Sequence, residues 1–188
     1  MTILVLAGLL FAFQPNSNRA KSEQYAVYSA YIEDGLTGDS HSLGERSRTV
    51  LIHADSTMVA ELKNRQRFRF LVGSLVNLHS RTIHPRPSLI YQLFLSNLTT
   101  GRFDRRFNIS ADYELLDCSS ILSSPNIHER FPRNYGCLTF SSVAFSPDLA
   151  EALFYTEHLC GLCGGEFVLM RKTGGRWAVV NHYGTWVS

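Results

Sequence analysis

The segment from Leu138 to Ser188 reads LTFSSVAF, SPDL, AEALFYTEHL, CGLCGG, EFVLMRK, TGG and RWAVVNHYGTWVS, and its reading decides the fold. Apolar, β-branched and aromatic runs alternate there with turn formers, the pattern of consecutive antiparallel strands joined by tight turns. Ser146-Pro147-Asp148 suits a type I turn ending a Leu138 to Phe145 strand, because proline fixes φ and the aspartate can bond its own backbone. Thr173-Gly174-Gly175 supplies residues that accept positive φ for a two- or three-residue hairpin loop. Between them, Cys160 to Gly165 holds three glycines and two cysteines, so the backbone can fold back tightly.

The period of two along a strand assigns faces. Ala152, Phe154 and Thr156 share one face, and Leu153, Tyr155 and Glu157 share the other. Both are largely apolar, which predicts a sheet covered on both sides. Past Gly175 the same rule sets Trp177, Val179 and Asn181 against Ala178, Val180 and His182, with Trp177 as a core anchor.

Outward from this sheet, the 188-residue chain is 45% hydrophobic with a formal charge of +2, enough for one globular domain with a real core. A near-neutral total argues against a bulk electrostatic role with nucleic acid. Ile3 to Phe13 is an apolar block of signal-peptide length, too short for a comfortable membrane span. Residues 1–20 are therefore read as a signal peptide and 21–188 as the domain, exported to the periplasm or the outside. The apolar block also allows association with the envelope.

Ser22 to Gly35 predicts a helix capped by Ser22 and stopped by Gly35, followed by a polar loop over 37–47. Arg48 to Ala54 is a β-branched strand. Arg65 to Phe70 alternates arginine and phenylalanine, which predicts a half-buried strand; stacking and phosphate contacts to single-stranded nucleic acid, together with Arg102 to Arg106, are the sharper alternative. Ser88 to Leu98 predicts a second helix with Ser88 as its cap, Arg106 to Asp117 a strand, and Ser124 to Arg133 a short helix. Asn97-Leu98-Thr99 and Asn108-Ile109-Ser110 match the glycosylation acceptor triplet, which in a secreted eukaryotic protein would mark surface loops and in a bacterial one carries no meaning. The fold class is α+β, two or three helices on a mainly antiparallel sheet ending in a meander.

Tyr135-Gly136, Phe140 to Phe145, Ala152 to Tyr155, Cys160 to Gly165, Val168-Leu169, Lys172, Gly175-Arg176-Trp177 and the ending Trp186-Val187-Ser188 together resemble a family of uncharacterised exported bacterial proteins. Its members share a C-terminal meander around a Cys-Gly-x-Cys-Gly turn. The resemblance implies export and a bacterial source, and it brings no activity, substrate or catalytic residue.

The cysteines carry the remaining site expectations. Cys160 and Cys163 are close enough for a disulfide pinning the hairpin, and Cys118 with Cys137 would close a second loop around the short helix. Free, buried thiols are the plain alternative. A thiol enzyme or redox protein would centre on Cys160, Cys163 and His158, although a strand rather than a helix follows the pair. Zinc would have to draw on Cys118, Cys137, His158 and His182, without a second close pair. Glu157 and Glu166 flank the cysteine turn and are placed to face each other across the hairpin, either as paired acids or as solvated rim carboxylates. The remaining histidines show no ligand spacing, Ser141-Ser142 lies inside a strand run, and no phosphate loop or dinucleotide fingerprint is present. The reading is a non-catalytic binding or structural domain without a cofactor or metal, its ligand unspecified.

Overall fold

The computed structural model describes residues 17–38, 49–56, 84–119, 136–159 and 164–187, together with Asn64, Gln66, Arg69, Gly73 and Glu129. Two helices, α1 (Ser17–Gly38) and α2 (Pro87–Ser96), pack on a seven-stranded sheet. The strands are β1 (Val50–His53), β2 (Tyr113–Leu116), β3 (Cys137–Phe140), β4 (Ala144–Phe145), β5 (Glu151–Leu159), β6 (Gly164–Thr173) and β7 (Arg176–Val187). Their order is β2-β1-β3-β5-β6-β7, with β4 also paired to β5. The sheet is mixed: β1 runs parallel to β2 and β3, while all other pairings are antiparallel. The α+β class and the β5-β6-β7 meander agree with the sequence reading.

The hairpin between β6 and β7 closes on Gly174 and Gly175, at φ 58° and 83°. Two consecutive positive φ values are what a two-residue turn matched to strand twist requires. The Ser146-Pro147-Asp148 turn also forms, with the Leu149 amide donating to the Ser146 carbonyl at 2.9 Å. Ser146 Oγ accepts from the amides of Ala150 and Glu151 at 3.1 and 2.8 Å, which holds Leu149 at φ 55° while its side chain is buried.

The expected single strand from Leu138 to Phe145 is instead two. Ser141 Oγ accepts the Tyr155 amide at 2.8 Å, so a side chain takes the place of a ladder carbonyl. Asn97 Oδ1 then takes the Ser142 amide at 2.6 Å. Ser141 and Ser142 thus form the break between β3 and β4. Asn97 is fully buried and its Nδ2 donates to the carbonyls of Leu93 and Ser142 at 2.7 and 3.1 Å. The triplet at Asn97 marks a lock between α2 and this break, not a surface loop; Asn108, by contrast, is exposed.

Helix α1 runs through both of its expected ends, Ser22 and Gly35. Gly35 lies on the exposed side with open space where a Cβ would sit. There a glycine costs about 1 kcal/mol of propensity. Beyond it Leu36 still packs on the core. Burying one large apolar side chain contributes about 1.5–3 kcal/mol, so docking outweighs the stop signal. The main core lies under α1, where Tyr25, Val27, Tyr28 and Ile32 meet Phe103, Phe107, Phe140 and Phe154. Tyr28 stacks on Phe140 with ring centroids 4.6 Å apart and donates its hydroxyl to the Ser141 carbonyl. Glu23 fastens the other end: Lys172 Nζ lies 2.6 Å from its Oε1, and Trp177 Nε1 donates to its Oε2 at 2.9 Å. Trp177 is buried there, as expected of an anchor.

The opposite face is covered by α2, whose Leu89 and Leu93 pack with Leu153, Tyr155, Phe167 and Leu169. Pro87 opens α2, and Arg86 rather than Ser88 stands at its cap, without a side-chain hydrogen bond. Both faces are therefore covered, with Ala152 and Phe154 toward α1 and Leu153 and Tyr155 toward α2.

Further differences follow from tertiary context. Only Tyr113–Leu116 of the expected 106–117 strand is paired. Its first part is a loop whose amides dock on α1, Asn108 N donating to Ser29 Oγ at 2.9 Å. Gln66 and Arg69 are helical and exposed, where a strand was expected over 65–70, and Gly73 just beyond it is helical and exposed as well. Their spacing repeats along one face of a helix. Within the expected short helix over 124–133, Glu129 is helical.

Candidate functional site

One cavity of about 380 Å³ opens between the C-terminal half of α1 and the sheet. Tyr31 and Asp34 reach it from α1, His158 from β5, Glu166 from β6 and His182 from β7. Strand register makes this possible. Glu166 pairs with Thr156 on one side and Gly184 on the other, and His182 pairs with Val168. These even-numbered positions of β5 and β6 share the α1 face with Phe154 and Val168.

His182 reaches that face through a bulge. Leu169 pairs with Asn181 but Met170 pairs with Val179, so Val180 is an extra residue. Trp177, Val179 and His182 consequently face α1, while Val180 packs with the cluster under α2. The strict alternation that sets His182 opposite Trp177 is thereby corrected.

Glu166 is the hub of the site. Tyr31 Oη donates to its Oε1 at 2.9 Å, and His182 Nδ1 lies 3.1 Å from the same oxygen. Burial pushes the Glu166 carboxyl up, but the His182 hydrogen bond and charge, the Tyr31 donor and the His158 imidazole outweigh it and hold the group below its ordinary range. Glu166 in turn raises His182 above the usual imidazole value against partial burial, with Asp34 adding to the effect. A carboxylate bound to Nδ1 fixes the ring and leaves Nε2 as the second nitrogen of the pair.

A second polar cluster occupies the other face of the same hairpin. Tyr155 Oη donates to Glu157 Oε1 at 3.0 Å and accepts from Trp186 Nε1 at 3.0 Å. Glu157 is only 8% exposed. Burial, reinforced by the Glu157 charge, pushes the Tyr155 phenol far up. Gly165 lies against this cluster, and a Cβ there would collide with Tyr155 Oη and Trp186 Nε1. Gly164 and Gly165 are thus strand residues of β6 rather than part of the turn, and Gly165 is there for close approach. Glu157 pairs with Gly165 and Glu166 with Thr156, so the two glutamates do not face each other.

The cysteine expectations divide. Cys118 and Cys137 form a disulfide, with Cα atoms 6.0 Å apart and the two residues 19 positions apart in sequence. Both are buried against Leu51, and the Cys118 amide donates to His53 Nδ1 at 3.1 Å. Because β2 and β3 flank β1 on either side, the bond straps the chain across that parallel strand. It also removes both sulphurs from any zinc set. Cys160 and Cys163 lie outside the described residues. His158, the third residue of the expected thiol site, lines the cavity. The sequence offers Glu166, the centre of the pair, only as a paired or rim acid and His182 only as one of four zinc candidates; the signal that brings them together is the bulge, which a period-of-two reading conceals.

Among the described residues, no set of three or more His, Cys, Asp and Glu side chains is disposed to hold a metal ion. No described helix is long and apolar enough to cross a membrane. Of the arginines considered for nucleic acid, Arg105 Nη2 lies 2.9 Å from Glu114 Oε2 and Arg106 Nε lies 3.5 Å from Asp104 Oδ2. Compared with known proteins, the chain matches no family model, no curated protein and no solved structure.

Proposed function

We propose that the protein is a non-catalytic, exported bacterial domain, periplasmic or envelope-associated, that binds a ligand in the cavity under α1. The observation that carries this reading is the buried Cys118–Cys137 bond. Cross-links of this kind persist in oxidising compartments and are rare in the reducing cytosol. The bond straps β2 to β3 and packs on Leu51, whereas Val50 and Leu138, the adjacent strand positions, line the cavity, a structural role that leaves the site to its hydrogen-bonded side chains. The resemblance of the C-terminal meander to exported bacterial proteins points the same way.

Alkylation of the protein in its host cell, before and after reduction, followed by fractionation and mass spectrometry, tests the reading. Cys118 and Cys137 should label only after reduction, in material outside the cytoplasm. Labelling of both without reductant, in cytoplasmic material, overturns it. Replacing both by alanine should lower stability by about 3 kcal/mol in chemical denaturation under oxidising conditions.

A further inference from the structure

Five titratable side chains from four elements converge on the cavity: Tyr31, Asp34, His158, Glu166 and His182. Ile32, Leu36, Val50 and Leu138 supply its apolar wall. The Glu166 carboxylate is loaded unevenly, since Tyr31 and His182 both bind Oε1. Its Oε2 has no hydrogen-bond partner among the described residues, although the side chain is only 27% exposed. An anion placed here would meet two carboxylates, and a neutral apolar molecule would strip water from Glu166 without replacing it. A cation would complete the carboxylate with a charge-assisted hydrogen bond. The Tyr31 and His182 rings, 6.3 Å apart, stand beside it.

We propose that this cavity binds a small organic cation, a primary ammonium or guanidinium compound carrying an apolar body, with its charged head on Glu166 and Asp34 and its body against Leu36 and Leu138. The proposal rests on the reading of the protein as a binding domain. A volume of about 380 Å³ suits a small molecule rather than a polymer. The bound cation competes with the proton that His182 shares with Glu166. Tyr31 and Asp34 on α1, His158 on β5 and Glu166 on β6 are the titratable groups around that ring, so occupancy should rise with pH as the imidazole discharges.

Amide resonances of the isotopically labelled full chain, titrated with benzylamine, benzyl alcohol and benzoate at about pH 8 and about pH 6, provide the test. Benzylamine should shift the resonances of Glu166, His182 and Asp34. It should bind at least about tenfold more tightly than either other probe, and more weakly at the lower pH. Glu166→Gln keeps an acceptor for Tyr31 and His182 and should erase the preference for the amine; if that variant unfolds, Asp34→Asn, an exposed helix position, should reduce the same preference. Equal or tighter binding of benzyl alcohol or benzoate at these residues overturns the ligand class and leaves the binding-domain reading standing. Failure of all three probes to move these resonances overturns both.

Discussion

Glu157 and Glu166 sit on neighbouring strands of one hairpin, yet they inhabit opposite kinds of surroundings. Glu157 is nearly sealed, with Tyr155 donating to it and Trp186 backing the tyrosine. Glu166 opens onto a cavity, with one oxygen shared by Tyr31 and His182. The residue types are similar on the two sides: a tyrosine, a glutamate and a nitrogen-bearing ring. What differs is the covering. A closed set of polar groups rigidifies a core because every loss leaves a buried partner stranded. The same groups at an open rim hold charge where a ligand can reach it. The contrast assigns structure to one face and recognition to the other, and that assignment can be broken.

The largest effect should come at Gly165. Its Cβ would strike Tyr155 Oη and Trp186 Nε1 on the closed face, both tied into hydrogen bonds. Gly165→Ala should cost about 3 kcal/mol in chemical denaturation, the upper end of overpacking. Gly184, paired with Glu166 on β7, has nothing within 4 Å of a built Cβ. Gly184→Ala should be neutral or stabilising by up to about 1 kcal/mol. Equal losses at the two glycines would show that the closed face is no tighter than the rest of the hairpin.

Next in size is the hydroxyl pair. Tyr155→Phe leaves the buried Glu157 short of a donor and Trp186 short of an acceptor, which should cost about 2 kcal/mol. Tyr31→Phe removes a donor from Glu166, which keeps His182 and lies partly in water, so its cost should stay below about 1 kcal/mol. Paired unfolding curves measure the ratio. A reversed order would exchange the roles of the two faces.

Much of this architecture is legible in the sequence because turns and alternation are local. Gly174-Gly175 fixes a hairpin by backbone geometry alone, and the alternation from Ala152 to Glu157 sorts side chains to two faces by the pleat. The open site is not legible, since it depends on a one-residue insertion in β7, at Val180, that exists only relative to β6. A bulge changes the face of every later residue, which moves His182 onto Glu166. The strand break at Ser141 likewise depends on Asn97, 45 positions away along the chain for its bond to Ser142. The alternation of arginine and phenylalanine around residue 66 shows the reverse hazard, since a period of two does not prevent Gln66, Arg69 and Gly73 from being helical.

The smallest effect is the pH dependence of the open face. Glu166 titrates below its ordinary 4.5, so the stability it contributes is present above that value and lost as pH falls through its lowered folded pKa. His182 titrates above its ordinary 6.5, so its contribution is complete below that value and lost as pH rises through its raised folded pKa. Both charges are in place between the two, and the stability gap between the native chain and His182→Asn should be widest at about pH 5–6 and shrink toward about pH 8. With His182 46% exposed, water screens the pair, and the gap should stay below about 1 kcal/mol. Tyr155→Phe should give a loss that does not change across the same range, because burial pushes that phenol far above it. A gap at His182 that stays flat with pH would mean that Glu166 holds the ring by geometry alone, and the electrical difference between the two faces would disappear.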